Sequence, residues 1–272
     1  MFKRILLAIA LVLGLAANAN ATPSVDGSAI YASNGTSATS AVVSVPSGAV
    51  VGDCLVTALN VNEPGSSYTI TPPSGATWTN VSGTILTSAM GGRASQRIDY
   101  RQYQAGDTSW TWTNFGNGTA TSYFIIIQSL NGVSCTPDGI ATPDDPNTSG
   151  TAPSTGTLTN STANDLMLTF WGLNVSQGSE GGAKAWTGPT GFTLIQNDLT
   201  TNTGEPGSSG GGAYYKLVSG SGSFGPFSAT LGVGALWTGF AVSFPPGAAP
   251  TPTPTATATP TATPTPSGSL MY

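Results

Sequence analysis

Apolar residues after Thr22 form short runs or alternate with polar ones, and no ten-residue stretch combines helical spacing with good helix formers. The runs Asp53–Val61 and Asp165–Val175 are rich in β-branched and aromatic residues, and a Gly-Asp or Asn-Asp pair introduces each. Gly- and Ser-rich stretches at 202–212 and 219–226 are typical of loops. The pattern therefore predicts an all-β fold of short strands.

Three further segments are predicted to be strands. Residues 97–103 alternate, which places Asp99 and Arg101 side by side, and we expect these two to form a cross-face ion pair. Residues 109–113 also alternate, whereas residues 123–130 are mostly apolar. The last of these segments is therefore predicted to be a central strand.

The strand pattern repeats along the chain. Segments 52–61, 71–78, 98–103 and 123–130 are followed in the same order by 164–173, 187–194, 213–218 and 237–244. Matched residues lie 112 apart for Asp53 and Asp165, 116 for Pro73 and Pro189, 115 for Tyr100 and Tyr215, and 116 for Phe124 and Phe240. We predict two tandem β-sandwich repeats of jelly-roll type, or alternatively one pseudo-symmetric unit built from both.

The chain divides accordingly into five parts. Residues 22–136 form the predicted first repeat, 137–149 a turn between repeats, and 150–245 the second repeat. Residues 246–272 are dominated by Pro, Thr and Ala, a composition typical of an extended linker or stalk. Residues 1–21 have the order of a cleavable signal peptide, and their 13-residue apolar run is shorter than the roughly 20 residues of a membrane span.

Composition narrows the classes of function. Lys and Arg total 7 and Asp and Glu 12, and loss of Lys3 and Arg4 with the leader leaves 5 against 12, a net charge of −7. This balance argues against nucleic-acid binding, which needs a basic face. The chain contains no His, which excludes Ser-His-Asp and Cys-His catalysis and His-based metal sites. We expect a secreted or cell-surface protein without a membrane span after cleavage.

Cys54 and Cys135 are the two cysteines of the chain. Cysteines of exported proteins are commonly paired, so we predict a disulfide between them. Two separate buried thiols are the alternative.

Several motifs together resemble a known kind of module. They are the run from Pro46 to Val56 with its Gly-Asp-Cys-Leu, the segment TPPSGATW at 71–78, a Tyr-Arg or Tyr-Lys strand, and YFIIIQSLNGV at 123–133. The pattern resembles tandem β-sandwich modules of exported bacterial surface and phage-tail-associated proteins, which share Gly-Asp-Leu, Pro-Ser-Gly-Trp and Tyr-Tyr-Lys in this order. The resemblance spans about residues 40–245 and implies a surface or adhesive β-sandwich of unassigned activity. The second copy departs from it, with Asn164 in place of Gly and Leu194 where the first copy has Trp78.

Aromatic side chains are the first candidate ligand site, because sugar rings stack on exposed aromatic faces. The candidates near Gly- and Asn-rich loops are Trp110, Trp112, Tyr103 and Trp186. Packing in the core is the alternative for these tryptophans. Trp171 and Trp237 lie inside apolar runs and are predicted to be core residues.

Acidic residues offer candidates for two other kinds of site, a calcium site and a catalytic pair of carboxylates. Asp138, Asp144 and Asp145 cluster between the repeats and are weak candidates for calcium binding, although no spaced loop motif is present. A glycosidase would need two suitably spaced carboxylates. The carboxylates available for that role include Glu63, Asp99, Asp107, Glu180 and Glu205.

These observations favour a secreted, non-catalytic recognition module that binds a glycan or another extracellular surface polymer and is displayed on a Pro/Thr stalk. A structural cell-surface or filament subunit that self-assembles is the first alternative, and a glycoside-active enzyme is the second.

Overall fold

The computed structural model describes residues 21–63, 70–81, 86–87, 93–115, 121–141, 149–175, 186–199 and 208–248. The predicted leader, apart from Ala21, and nearly all of the predicted stalk lie outside these ranges.

The described residues form strands and contain no α-helix, which confirms the all-β prediction. The strands are β1 Ser24–Ala38, β2 Ser40–Ser44, β3 Cys54–Glu63, β4 Thr79–Asn80, β5 Leu86–Thr87, β6 Arg93–Gln102, β7 Ser109–Thr113, β8 Thr121–Asn131, β9 Gly139–Ile140, β10 Leu158–Asn160, β11 Asp165–Val175, β12 Trp186–Thr187, β13 Thr193–Leu199, β14 Ser208–Val218, β15 Gly222–Phe224, β16 Thr230–Leu231 and β17 Leu236–Phe244.

Two large antiparallel sheets make up the body of the protein. The first has the order β1-β8-β3-β6-β4, with β5 also paired to β6, and the second has the order β13-β14-β11-β17-β9. Read from β9, the second sheet repeats the strand order of the first. Two-stranded ribbons β2–β7, β10–β15 and β12–β16 complete the pairing.

The two large sheets pack against each other and share one core. Side chains such as Val56 and Phe124 of the first sheet lie in the same cluster as Phe170 and Phe240 of the second. The opposite face of the first sheet is covered by ribbon β2–β7, and β3 contributes Leu55 to that second cluster. Strand β3 is therefore buried on both faces, which explains why its sequence is apolar rather than alternating. The two large sheets thus form one unit with a shared core, while the pseudo-symmetry of that unit stays a prediction.

Equivalent strands of the two halves meet at the centre of this unit. Asn174 Nδ2 donates to Asn62 Oδ1 at 2.7 Å, and these residues are 112 positions apart. Asn60 and Gly172 are also 112 positions apart. Asn60 packs on Gly172, and a side chain at Gly172 would collide with the Asn60 amide. Contact between equivalent residues is the signature of a two-fold arrangement. The shared strand order fits the predicted repeat, while duplication as its origin stays a prediction.

Strand β14 corrects one loop prediction. Residues 208–212 belong to this strand although their sequence is Ser-Ser-Gly-Gly-Gly. A Cβ atom at Gly211 would lie 2.6 Å from Phe124 of the other sheet, and one at Gly212 would lie 2.9 Å from Trp186. Glycine is therefore required here for close packing rather than for a turn. Likewise, β9 lies within the predicted turn at 137–149 and pairs with β17.

The predicted disulfide is confirmed. Cys54 of β3 and Cys135, which follows β8, are bonded, with their Cα atoms 5.1 Å apart. The bridge joins the buried start of β3 to the connection between the two sheets.

Candidate functional site

The structure corrects the prediction that Trp110 and Trp112 form a ligand platform. Trp110 is 5% exposed and Trp112 is fully buried, because both lie on the inner face of ribbon β2–β7, against the first sheet. The solvent face of β7 is formed by Ser109, Thr111 and Thr113 instead. The alternation had correctly placed the two rings on one face of the strand, but that face packs in the core.

The other two aromatic candidates are partly accessible and lie in different halves. Tyr103 is half-buried and packs against the cluster under ribbon β2–β7. Trp186 is half-buried and packs edge-on against Trp171, with ring centroids 6.3 Å apart. Trp171 and Trp237 are buried, as predicted for core residues. The structure therefore does not bring the four candidate aromatic residues together, and a ligand role for Tyr103 or Trp186 stays a prediction.

A buried network of charged and aromatic groups lies beneath ribbon β2–β7. Asp99, fully buried on β6, accepts a hydrogen bond from Trp112 Nε1 at 3.0 Å. Its ion-pair partner is Arg97, whose Nε lies 2.7 Å from Asp99 Oδ2. The expected pair between Asp99 and Arg101 is therefore wrong. Arg97 and Arg101 both lie two residues from Asp99 on the same strand face, and packing rather than spacing decides between them.

Arg101 is held rigidly by its surroundings. Its guanidinium carbon lies 5.7 Å from the Trp78 ring centroid and 5.6 Å from that of Trp110. Its Nη2 donates to Asp107 Oδ2 at 2.9 Å, and the same oxygen accepts from the backbone N–H of Gln104 at 2.9 Å. Cation–π contacts between desolvated groups are worth up to about 2 kcal/mol. The arginine side chain is therefore fixed before any ligand arrives.

A polar cleft opens beside this arginine at the edge of the first sheet. It encloses about 490 Å³ between the turn before β4, the end of β6 and the connection that follows β8. Its lining consists of Gly75, Ala76, Thr77, Thr79, Tyr100, Arg101, Gln102, Gln104, Asp107, Cys135 and Thr136. Gly75 has φ 81°, a left-handed conformation that glycine adopts readily, and it shapes the turn. The disulfide at Cys135 anchors the opposite wall.

Local sequence pattern does not reveal this cleft, although two of its walls lie in motifs noted above. The segment TPPSGATW supplies the turn, and the alternating segment 97–103 supplies most of the β6 side. The third wall comes from residues 135–136, and only the tertiary fold brings it next to the others.

Asp138 is engaged by the protein itself. Its carboxylate accepts hydrogen bonds from the backbone N–H groups of Ser161 and Thr162, each at 2.7 Å, and from the Ser161 hydroxyl. Burial raises the pKa of Asp138, but these hydrogen bonds together outweigh it and hold the pKa below its usual value. Asp144 and Asp145 lie outside the described residues. Across the ranges that the structure describes, no three acidic or cysteine side chains converge on one point.

The candidate catalytic carboxylates are ion-paired where the structure describes them. Asp99 pairs with Arg97 and Asp107 with Arg101. The remaining candidates have side chains outside the described part of the chain: Glu63, Glu180 and Glu205.

Two buried aspartates lie at the start of the central strands and differ in their surroundings: Asp53 immediately precedes β3, and Asp165 is the first residue of β11. Asp53 accepts hydrogen bonds from the Val50 N–H, the Ser129 hydroxyl and the Asn131 amide at 2.8–2.9 Å. Asp165 is fully buried, and burial raises its pKa. Ser243 and Asn160 lower that pKa in part, whereas the nearby Asp138 carboxylate raises it further.

The described residues contain no helix with the length and hydropathy that a bilayer span requires. Comparison of the chain with protein-family models, with curated proteins and with solved structures finds no match.

Proposed function

We propose that this protein is an extracellular recognition module that binds a glycan or a similar surface polymer in the cleft beside β6. The observation that carries the proposal is a preformed cleft of about 490 Å³ with a mainly polar lining. Recognition sites are usually concave and formed in advance, with a few placed polar groups that fix the ligand.

The chemistry of the lining suits hydroxyl-rich ligands. Thr77 and Thr79 offer hydroxyls, and Gln102 and Gln104 offer amides, each of which can both donate and accept a hydrogen bond. Sugar hydroxyls have the same dual character, so such groups can bond them without a charge.

The rigidity of the walls lowers the cost of binding. Arg101 is already clamped by two indole rings and Asp107, and the disulfide holds the wall at Cys135. A site fixed in advance loses less conformational entropy when the ligand binds.

We favour binding over hydrolysis because of the state of the nearby carboxylates. Asp99 and Asp107 each bond a guanidinium group. A glycosidase needs one carboxyl that can donate a proton, and an ion-paired carboxylate serves that purpose poorly. The predicted leader and stalk support display outside the cell, where a tether raises the effective concentration at a surface.

The test is a glycan array and an insoluble-polysaccharide pull-down with the mature full chain. We expect binding to fall at least about tenfold, or about 1.4 kcal/mol, in a Gln102→Ala, Gln104→Ala double variant. Gln196→Ala, on β13 of the second sheet, is the matched control and should leave binding unchanged. Equal binding by all proteins, or no glycan binding by any of them, would contradict the proposal.

A structural subunit is the second candidate, because β1 lies at one edge of the first large sheet and β13 at one edge of the second. Edge strands present backbone groups that can pair with another chain. Concentration-dependent assembly in sedimentation experiments, without glycan binding, would favour this role.

A further inference from the structure

We infer that the cleft beside β6 selects uncharged glycans over acidic ones. The inference rests on the proposed function and specifies the class of ligand for the same cleft.

The charged groups of the cleft neutralise each other. Arg101 and Asp107 are the ionised residues of the lining, and Arg101 Nη2 lies 2.9 Å from Asp107 Oδ2. The arginine Nε donates to the Gln102 carbonyl at 3.2 Å. The third nitrogen, Nη1, is closed off from solvent and has no hydrogen-bond partner. The positive charge of the guanidinium is therefore already balanced by Asp107, and two of its nitrogens donate within the protein.

An acidic sugar would consequently enter the cleft without a counter-charge. Carboxylates and sulfates are recognised mainly by charge-assisted hydrogen bonds, and the Arg101 guanidinium, the one cation of the described lining, is already paired with Asp107. The free oxygen of Asp107 would moreover repel an anion. Burying a charge without a partner is strongly unfavourable, whereas a neutral hydroxyl meets Thr and Gln groups that match it.

The charge of the whole chain acts in the same direction. Acidic residues outnumber basic ones by 12 to 7. The resulting negative field slows the approach of a polyanion, while it has little effect on a neutral polymer. Local and global electrostatics therefore favour the same class of ligand.

The test uses matched oligosaccharides that differ only in oxidation at C6. Neutral gluco-, galacto- and manno-hexasaccharides are compared with the corresponding uronates by calorimetry on the mature full chain. We expect a neutral hexasaccharide to bind at least about tenfold more tightly than its uronate. The affinity should change less than about twofold between about 50 mM and about 500 mM salt, because no net charge is neutralised.

A variant makes the prediction sharper. Asp107→Asn removes the partner of Arg101, so we expect uronate binding to rise at least about tenfold, with a new dependence on salt. Asp198→Asn, on β13, changes the net charge equally and should not change uronate binding. The salt dependence of the unmodified protein is an independent readout that needs no variant.

The outcomes distinguish failure of the selectivity from failure of glycan binding itself. Tighter binding of uronates by the unmodified protein, or steep salt dependence of its glycan binding, would overturn the selectivity and leave glycan binding intact. If neither class of oligosaccharide binds, the proposed function is wrong and the selectivity falls with it.

Discussion

The two halves of the molecule share a frame but differ at the place where the first half has its cleft. Gly75 and Gly191, 116 positions apart, have φ angles of 81° and 79°. The residue after each glycine is Ala76 in the first half and Phe192 in the second. The Phe192 ring packs against Phe227 with centroids 4.9 Å apart, so a phenyl group stands where the first half has a methyl group. The two halves therefore differ in the size of the side chain that follows this glycine.

The cations of the two halves show the same difference. Lys216 corresponds to Arg101 and lies over Phe192, with its Nζ 5.8 Å from the ring centroid. Arg101 instead lies over two indoles and is bonded to Asp107. A cation over an aromatic ring is common to both halves, whereas a fixed cation beside polar groups belongs to the first.

The largest effect is expected from the disulfide, which only the first half carries. Replacing Cys54 and Cys135 with Ser should lower the free energy of unfolding by about 4 kcal/mol, because the bond closes a long loop in the unfolded chain. Urea denaturation of the variant and the oxidised parent measures this. A change of less than about 1 kcal/mol would contradict the entropic account.

The next largest change in stability is expected at Asp53, whose carboxylate accepts three hydrogen bonds. Asp53→Asn should cost about 2 kcal/mol, because an amide cannot accept all three hydrogen bonds that the carboxylate receives from Val50, Ser129 and Asn131. Urea denaturation at neutral pH tests it, with Asp26→Asn on β1 as a control. Unchanged stability would show that these hydrogen bonds contribute little.

The third prediction gives the cleft of the first half the phenyl ring that the second half has at the matching position. Ala76→Phe should fill the cleft and reduce glycan binding at least about tenfold, with the chain still folded. Thr190→Phe adds the same ring at an exposed position of the second half and should bind as the parent does. Retention of full binding by Ala76→Phe would mean that the ligand binds elsewhere.

The smallest change in stability is expected at Asp165, and its sign is opposite to that expected at Asp53. Asp165→Asn should raise the stability by about 1 kcal/mol at neutral pH, because it removes a buried carboxylate whose pKa burial has raised. The parent carries this cost in full above the raised pKa. The cost disappears as the pH falls through that pKa toward the ordinary value near 4, since the folded state takes up the proton first.

Urea denaturation at neutral pH and again near pH 4 should therefore show the difference between Asp165→Asn and the parent shrinking at the lower pH. A difference that grows as the pH falls would contradict this sign.

The sequence predicted those features that depend on local pattern. The apolar runs of β3 and β11 and the buried positions of Trp171 and Trp237 followed from residue type and spacing, and the disulfide followed from the predicted export of the chain. Trp112 shows the limit, since alternation fixes which side chains share a face but not whether another layer covers that face.

The cleft and the glycine-rich start of strand β14 were missed for a related reason. The Gly run of β14 reads as a loop until Phe124 of the other sheet is placed against Gly211. The cleft needs Thr136 beside Thr79, which lie far apart in the chain. Both features are set by contacts between distant segments, and local pattern carries no information about them.

The shared core has a consequence for either half taken alone. A chain that ended before the second sheet would expose the face of the first sheet that carries Val56, Ile98 and Phe124. Because Asn62 meets Asn174, its own counterpart, a second copy of the same half would present a nearly matching surface. The predicted repeat would make the molecule the counterpart of a symmetric homodimer joined in one polypeptide, and an isolated half is then expected to pair with itself rather than stay monomeric.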